Sequence, residues 1–262
     1  MNSRLKGLIF ISVNLLILLG IGISWIHAVK SKRIERTVGL EIKIETGGKG
    51  GLLEVADVKK WVLDFYQKDI RKIGIYALKL DQLEKYLLNQ ALVRKADLYI
   101  DPQNKLHIQL EQRQPVVRVV DVKGGQYYLD EMGYKIPVSS RYGSRVPVAT
   151  GLWYPVSGDR LDAKGEMFYG SLLKLVTAIQ ADSFAHALIE QIDLDVNGDF
   201  TLIPKIGGEK ILLGGADEVE DKLNRLKLFY QENMGRQGWN VYETINLKFK
   251  GQIVGKKEKL ES

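Results

Sequence analysis

Residues 8–29 read LIFISVNLLILLGIGISWIHAV, a run without one ionised side chain. As a helix it is long enough to cross a hydrocarbon core about 30 Å thick. The stretch is therefore either an uncleaved membrane anchor or a cleaved leader. A cleaved leader normally has a shorter apolar centre followed by a small-x-small site. Here the run meets Lys30-Ser31-Lys32-Arg33 directly, so an uncleaved membrane anchor is expected. Trp25 and His27 sit near its far end, where amphipathic rings are favoured. Asn14 inside the run is either a hydrogen-bonding contact to a partner helix or a tolerated lone polar residue.

Charge leaves the orientation open. Arg4 and Lys6 precede the run; Lys30, Lys32, Arg33 and Arg36, offset by Glu35, follow it. A tail of residues 1–7 is easily retained in the cytoplasm, with the remainder exported. Basic residues cluster in the segment 30–36 and again at Lys256, Lys257 and Lys259, and such clusters beside a membrane hold lipid headgroups or set topology. The overall net charge of +6 is mild for 262 residues, and no interleaving of basic and aromatic residues points to nucleic acid. The chain has no cysteine, which excludes a disulfide framework and a cysteine nucleophile or metal ligand.

Beyond the anchor, the length fits two domains. Val38, Leu40, Ile42 and Ile44 alternate with Glu41, Lys43 and Glu45, the pattern of a half-buried strand. Gly47-Gly48-Lys49-Gly50-Gly51 lacks the Ser or Thr that a phosphate loop needs after its lysine, so a flexible loop is expected. Val58, Trp61, Val62 and Phe65 share one helical face. A second helix is expected from Asp81, with Asp81 and Glu84 forming a capping box and Leu83, Tyr86 and Leu87 an apolar stripe. Two alternating runs flank the turn Asp101-Pro102-Gln103-Asn104. The order is strand, helix, helix, strand, strand.

That order resembles a POTRA domain. Leu80-Asp81-Gln82-Leu83-Glu84, Ala91-Leu92-Val93-Arg94-Lys95-Ala96, the Pro102 hairpin and Glu111-Gln112-Arg113-Gln114-Pro115 together resemble the FtsQ/DivIB family of bacterial division proteins. Arg113 and Pro115 mark the expected domain seam, because proline cannot donate to a sheet ladder and holds Gln114 extended. The resemblance spans the chain and implies a cytoplasmic tail 1–7, a transmembrane helix 8–29, a basic segment 30–36, a POTRA domain 37–114, a β-domain 115–255 and a basic tail 256–262.

In the second domain Val116, Val117, Val119 and Val120 form a β-branched run. Leu129-Asp130-Glu131-Met132-Gly133 resembles the family's V/L-D-x-x-G hairpin, and Pro147 to Gly151 its L-P-x-x-x-G stretch, with Val146 in place of the leucine. Phe168, Leu172, Leu175, Val176 and Ile179 predict one helix, and Val219, Leu223, Leu226, Phe229 and Tyr230 another. Asn197-Gly198 is a strong hairpin signal. The last strand is expected over Val241 to Phe249, broken by Gly251 and resumed at Ile253-Val254. The expected fold class is thus α+β: an anchor helix, a β-α-α-β-β domain, and a mixed α/β domain whose antiparallel sheet ends in a C-terminal edge strand.

No catalytic constellation stands out. His27, His107 and His186 lack metal-ligand spacing and are read as solvated or structural. Ser171-Leu172-Leu173-Lys174 matches S-x-x-K without a following K-T-G and is read as coincidence. Asp193 and Asp195 share a strand face and are read as solvated. No enzyme activity, cofactor or metal is expected.

The resemblance implies a non-enzymatic scaffold at the division septum, anchored in the cytoplasmic membrane with its folded domains outside. It implies FtsB and FtsL as partners of the β-domain, a link to the septal synthase pair FtsW and FtsI, and recruitment through POTRA. The implied docking mode is strand addition to Ile245, Asn246, Leu247, Lys248, Phe249 and Lys250. The other reading of these residues is a terminal strand that only closes its own sheet. Lys248 stands where the family carries arginine and Phe249 where it carries tyrosine. Lys256 replaces an aromatic, and Asp195-Val196 a basic pair. Two other functions fit the pattern less well: an anchored, exported cell-wall enzyme, and a POTRA module of an outer-membrane assembly or secretion system.

Overall fold

The computed structural model describes residues 14–26, 36–47, 50–141, 143–152, 154, 156, 158–234, 238 and 241–257. They fall into two compact units, one within Met1–Glu45 and Leu53–Glu111, the other within Thr46–Leu52 and Gln112–Ser262. Residues 14–26 form a helix, α1, whose apolar side chains are exposed. Among the described residues no helix is long and apolar enough to cross a membrane. Residues 8–13 and 27–29 of the expected span lie outside them.

The first unit contains β1 (Gly39–Glu45), α2 (Val55–Tyr66), α3 (Leu80–Leu88), β2 (Val93–Ile100) and β3 (Lys105–Gln112). Two short 3-10 turns, Ile70–Lys72 and Ile75–Ala77, join the helices. The strand order is β1-β3-β2, with β1 parallel to β3 from Gly39↔Lys105 to Glu45↔Glu111. A parallel pair needs a long crossover, and the helical segment between β1 and β2 supplies it. Val58 and Val62 of α2, and Leu83 and Leu87 of α3, are buried four residues apart, one helical turn. On β3 they are matched by buried Leu106, Ile108 and Leu110.

The helix starts differ from expectation. The capping box belongs to α2, where the Glu54 amide donates to Asp57 Oδ2 at 3.2 Å. Helix α3 begins at Leu80 without a side-chain cap, and the Leu83 amide donates to the Lys79 carbonyl at 2.9 Å. Asp81 therefore lies one position inside the helix rather than before it. The turn Ile75–Ala77 delivers the chain into helical geometry early, and Asp81 acts on the helix dipole instead.

The β2–β3 turn is built on Asp101. Its Oδ1 accepts the amides of Gln103 (2.9 Å) and Lys105 (2.8 Å), and its Oδ2 lies 2.7 Å from His107 Nε2. His107 stacks flat on Tyr99, with ring centroids 4.7 Å apart.

The second unit is one nine-stranded sheet. In chain order it holds β4 (Pro115–Asp121), β5 (Gln126–Asp130), β6 (Lys135–Pro137), β7 (Val148–Leu152), α4 (Ala163–Ala181) and α5 (Ser183–Leu188). Then come β8 (Ile189–Leu194), β9 (Phe200–Pro204), β10 (Lys210–Gly214), α6 (Val219–Phe229), β11 (Tyr242–Asn246) and β12 (Val254–Lys257). The strands lie in the order β12-β11-β10-β9-β8-β7-β4-β5-β6. The sheet is mixed, not antiparallel as expected: β4–β7, β7–β8 and β10–β11 are parallel pairs. The cause is connectivity. Helices α4 and α5 carry the chain from β7 to β8, and α6 carries it from β10 to β11, so each crossover returns it in the same direction. Tyr169, Leu172, Leu175, Val176 and Ile179 of α4 and Leu223 and Leu226 of α6 share one core with the buried residues of the strands.

Gly151 shows how closely the parallel strands approach. Its φ is +75°, and a Cβ there would overlap the carbonyl oxygen of Leu194. Gly151→Ala is expected to destabilise the second unit by about 2–4 kcal/mol, read as a lower urea midpoint, because left-handed strain and overpacking act together. In the first unit the His107 contact, with the Lys105 and Gln103 amides, holds the Asp101 carboxyl below the usual carboxylate range. A depressed carboxyl stabilises the fold above its unfolded pKa, so this contribution disappears as pH falls from about 4 through the lowered value. The stability gap between the natural chain and Asp101→Asn, followed by thermal melts from pH 7 to pH 3, should narrow in that window.

Candidate functional site

The segment expected to be a domain seam begins where the chain passes into the second unit at Gln112, and it is hydrogen-bonded within that unit. Gln112 is buried; its Oε1 accepts the Leu52 amide at 2.7 Å and its Nε2 donates to the Gly50 carbonyl at 3.2 Å. Gln114 Nε2 donates to the Thr46 carbonyl at 2.8 Å. The two glutamines thus hold the two ends of the glycine-rich stretch, whose Gly48 and Lys49 lie outside the described residues. Arg113, between them, donates from Nη1 to Asp130 Oδ2 at 2.7 Å, with both side chains under a tenth exposed. Its guanidinium lies 3.8 Å above the Tyr134 ring. Asp130 Oδ1 in turn accepts the amides of Met132 (3.0 Å) and Tyr134 (2.7 Å), closing the β5–β6 turn in which Gly133 has φ +76°. Pro115 opens β4 in register with Asp130. Arg113 and Pro115 therefore both meet Asp130, the first at its carboxylate and the second across the β4–β5 ladder, which is a structural role.

The other expected site lies at the opposite end of the sheet. Ile245 and Leu247 are fully buried, and the Leu247 amide donates to the Leu212 carbonyl at 2.9 Å. The strand expected through Phe249 stops at Asn246, whose Oδ1 accepts the Lys248 amide at 2.9 Å. This local side-chain acceptor starts a turn, and Gly251 at φ +68° completes the reversal. Chain then returns as β12, antiparallel to β11, with Asn246↔Val254, Ile245↔Gly255, Thr244↔Lys256 and Tyr242↔Lys257. The outermost strand is therefore Val254–Lys257, and the run Ile245–Lys250 is its neighbour and turn. Lys256 and Lys257, expected in a tail, are strand residues.

All four residues of β12 are exposed, and among the described residues no strand pairs with its outer edge. Gly255 lets β12 lie close, since a Cβ there would stand 2.6 Å from the Tyr242 ring. Phe249 is half exposed in the turn. Lys256 pairs with Glu243 at 2.6 Å, Lys250 with Glu218 at 2.9 Å, and Lys248 with Asp199. Exposed pairs of this kind contribute about 0–1 kcal/mol each, so they orient side chains more than they hold the strand. The sequence signal for β12 was present as Gly251 between two short apolar runs. A second missed residue, Arg225 of α6, reaches the carbonyls of the turn.

The two aspartates considered for chemistry have structural partners. Asp193 accepts from Gln191 Nε2 at 2.7 Å and from the Thr150 hydroxyl. Asp195 accepts the amides of Asn197 (2.8 Å) and Asp199 (2.9 Å) in the β8–β9 turn, and those amides keep its carboxyl below the usual range. Ser171 and Lys174 are exposed on α4. Among the described residues no group of three His, Cys, Asp or Glu is placed to hold a metal ion.

A family model described as FtsQ/DivIB, C-terminal related, matches residues 114–256, from the residue before β4 into β12. The chain is 29% identical over 261 residues to the cell division protein FtsQ of Rhodothermus marinus, covering 98% of this chain and 88% of the relative. It is 26% identical over 163 residues to the cell division protein FtsQ of Salinibacter ruber, covering 61% and 62%.

The buried Arg113–Asp130 pair generates a quantitative expectation. Removing one partner of a buried ion pair costs about 3–5 kcal/mol. Asp130→Ala should lower the chemical denaturation free energy by that amount, and Asp130→Ala with Arg113→Met by clearly less.

Proposed function

We propose that this chain, which belongs to the FtsQ/DivIB family and is a cell division protein, acts without catalysis as a scaffold that docks a partner strand on β12. The observation that carries the reading is the outer edge of that strand, exposed along all four residues and unpaired by any strand among the described residues. An added strand would complete the ladder through main-chain hydrogen bonds, with alternate side chains setting specificity. Ile245, Asn246 and Leu247 root the hairpin, while Lys248, Phe249 and Lys250 supply exposed side chains beside the edge. Lysines on β12 also discourage pairing with another copy of the same edge.

The finer reading follows the family resemblance. Residues 8–29 anchor the chain in the cytoplasmic membrane, with 1–7 in the cytoplasm and the folded units outside, at the septum. The uncharged run and the exposed apolar surface of α1 support the anchor. The basic segment 30–36 faces lipid headgroups. Residues 37–114 act as a POTRA domain that recruits other division proteins; the β-α-α-β-β element order supports this. The domain 115–255, extended through β12, holds FtsB and FtsL and through them the synthase pair FtsW and FtsI.

The test compares the full chain with a version ending at Ile253, which keeps β11 and its buried residues and removes β12. Both are checked for folding by circular dichroism and then co-purified with the FtsB–FtsL complex. The shortened chain should retain its fold and lose most of the partner. Equal recovery by both versions would place docking elsewhere.

A further inference from the structure

Four exposed residues are a poor anchor for a strand, since β12 buries no side chain of its own. Its approach is governed by the turn that leads into it, and that turn converges on one side chain of α6. Arg225 Nη1 donates to the Phe249 carbonyl at 3.0 Å and to the Gln252 carbonyl, and Nη2 reaches the Leu247 carbonyl at 3.5 Å. Arg225 Nε donates to Asp221 Oδ2 at 2.9 Å, one helical turn earlier, which fixes the guanidinium plane. The Arg225 side chain itself is only 13% exposed, while the carbonyls of Phe249 and Gln252 that it meets lie in the exposed turn. One rigid fork thus gathers carbonyls from the start, middle and end of the β11–β12 connection.

Resting on the docking function proposed above, we infer that Arg225 is a positioning residue for partner binding: it presets β12 in the register that an incoming strand completes. The planar guanidinium is essential to this role. A lysine ammonium is a point donor on a flexible stem and cannot span three carbonyls while also bonding Asp221. Without the clamp, β12 retains its short ladder to β11 and exposed ion pairs of small worth. The partner would then have to order the edge as it binds, which weakens affinity.

The experiment uses the full chain, Arg225→Met, Arg225→Lys and the version ending at Ile253. Amide hydrogen exchange is measured on each without partner, and affinity is measured for the FtsB–FtsL complex. Arg225→Met should speed exchange across Val254–Lys257 by about tenfold or more and leave β9 and β10 unchanged, as loss of charge-assisted hydrogen bonds predicts. Affinity should fall by about tenfold, and Arg225→Lys should fail to restore it. Unchanged exchange in β12 would overturn the inference directly. Faster exchange with undiminished affinity, while the Ile253 version fails to bind, would also overturn it and leave the docking function standing. Full binding by the Ile253 version would remove the docking function itself, and the inference with it.

Discussion

The strand residues that face α4 and α6, among them Val117, Ile192, Leu202, Ile211 and Ile245, are fully buried, and that burial sets the register of the large sheet. Side chains alternate with period two, so a one-residue slip in any of these strands would turn its apolar set to solvent. Each fully buried aliphatic or aromatic side chain contributes about 1.5–3 kcal/mol, against about 0–1 kcal/mol for an exposed ion pair. The interior strands are therefore held by burial, and the ion pairs around the rim are secondary. The order of stability follows from this: β8 to β11 are locked, and β12, with four exposed residues, sits at the weakly held margin.

Under the docking proposed above, weak holding at that margin suits an edge that pairs with another chain. An interior strand has both of its ladders satisfied by its neighbours, whereas an outermost strand offers amides and carbonyls to a partner. The protein meets the conflict between availability and order through polar contacts that reach the backbone rather than through burial. Asn246 starts the reversal, Gly251 allows it, and Arg225 gathers its carbonyls.

The opposite end of the unit uses buried polar chemistry for a different purpose. Gln112, Arg113 and Gln114 each reach a distinct backbone or carboxylate target, so three consecutive side chains tie Thr46, Gly50, Leu52 and the β5–β6 turn to the start of β4. A buried charge pair is not a cheap source of stability, because both ions lose water. Its value lies in geometry: Asp130 accepts two turn amides as well as Arg113, so one carboxylate serves both the turn and the pair.

The sequence by itself determined the elements whose cause is local. The alternation of Leu106, Ile108 and Leu110 marked β3, the spacing of Leu172, Leu175, Val176 and Ile179 marked α4, and Asn197-Gly198 marked the turn between β8 and β9. Arg113 and Pro115 were visible as a break in pattern, and Gly151 as part of a family motif. Only the tertiary structure decided which strands are parallel, that Asp81 lies inside α3 rather than capping it, and that β12 covers the run Ile245–Asn246. Those outcomes depend on contacts between residues distant in sequence: crossovers through helices, a turn that enters α3 early, and an arginine on α6 meeting carbonyls more than twenty positions away. Periodicity reports which face of a segment is buried. It carries no information about which neighbour does the burying, and the identity of the sheet's edge is a statement about neighbours.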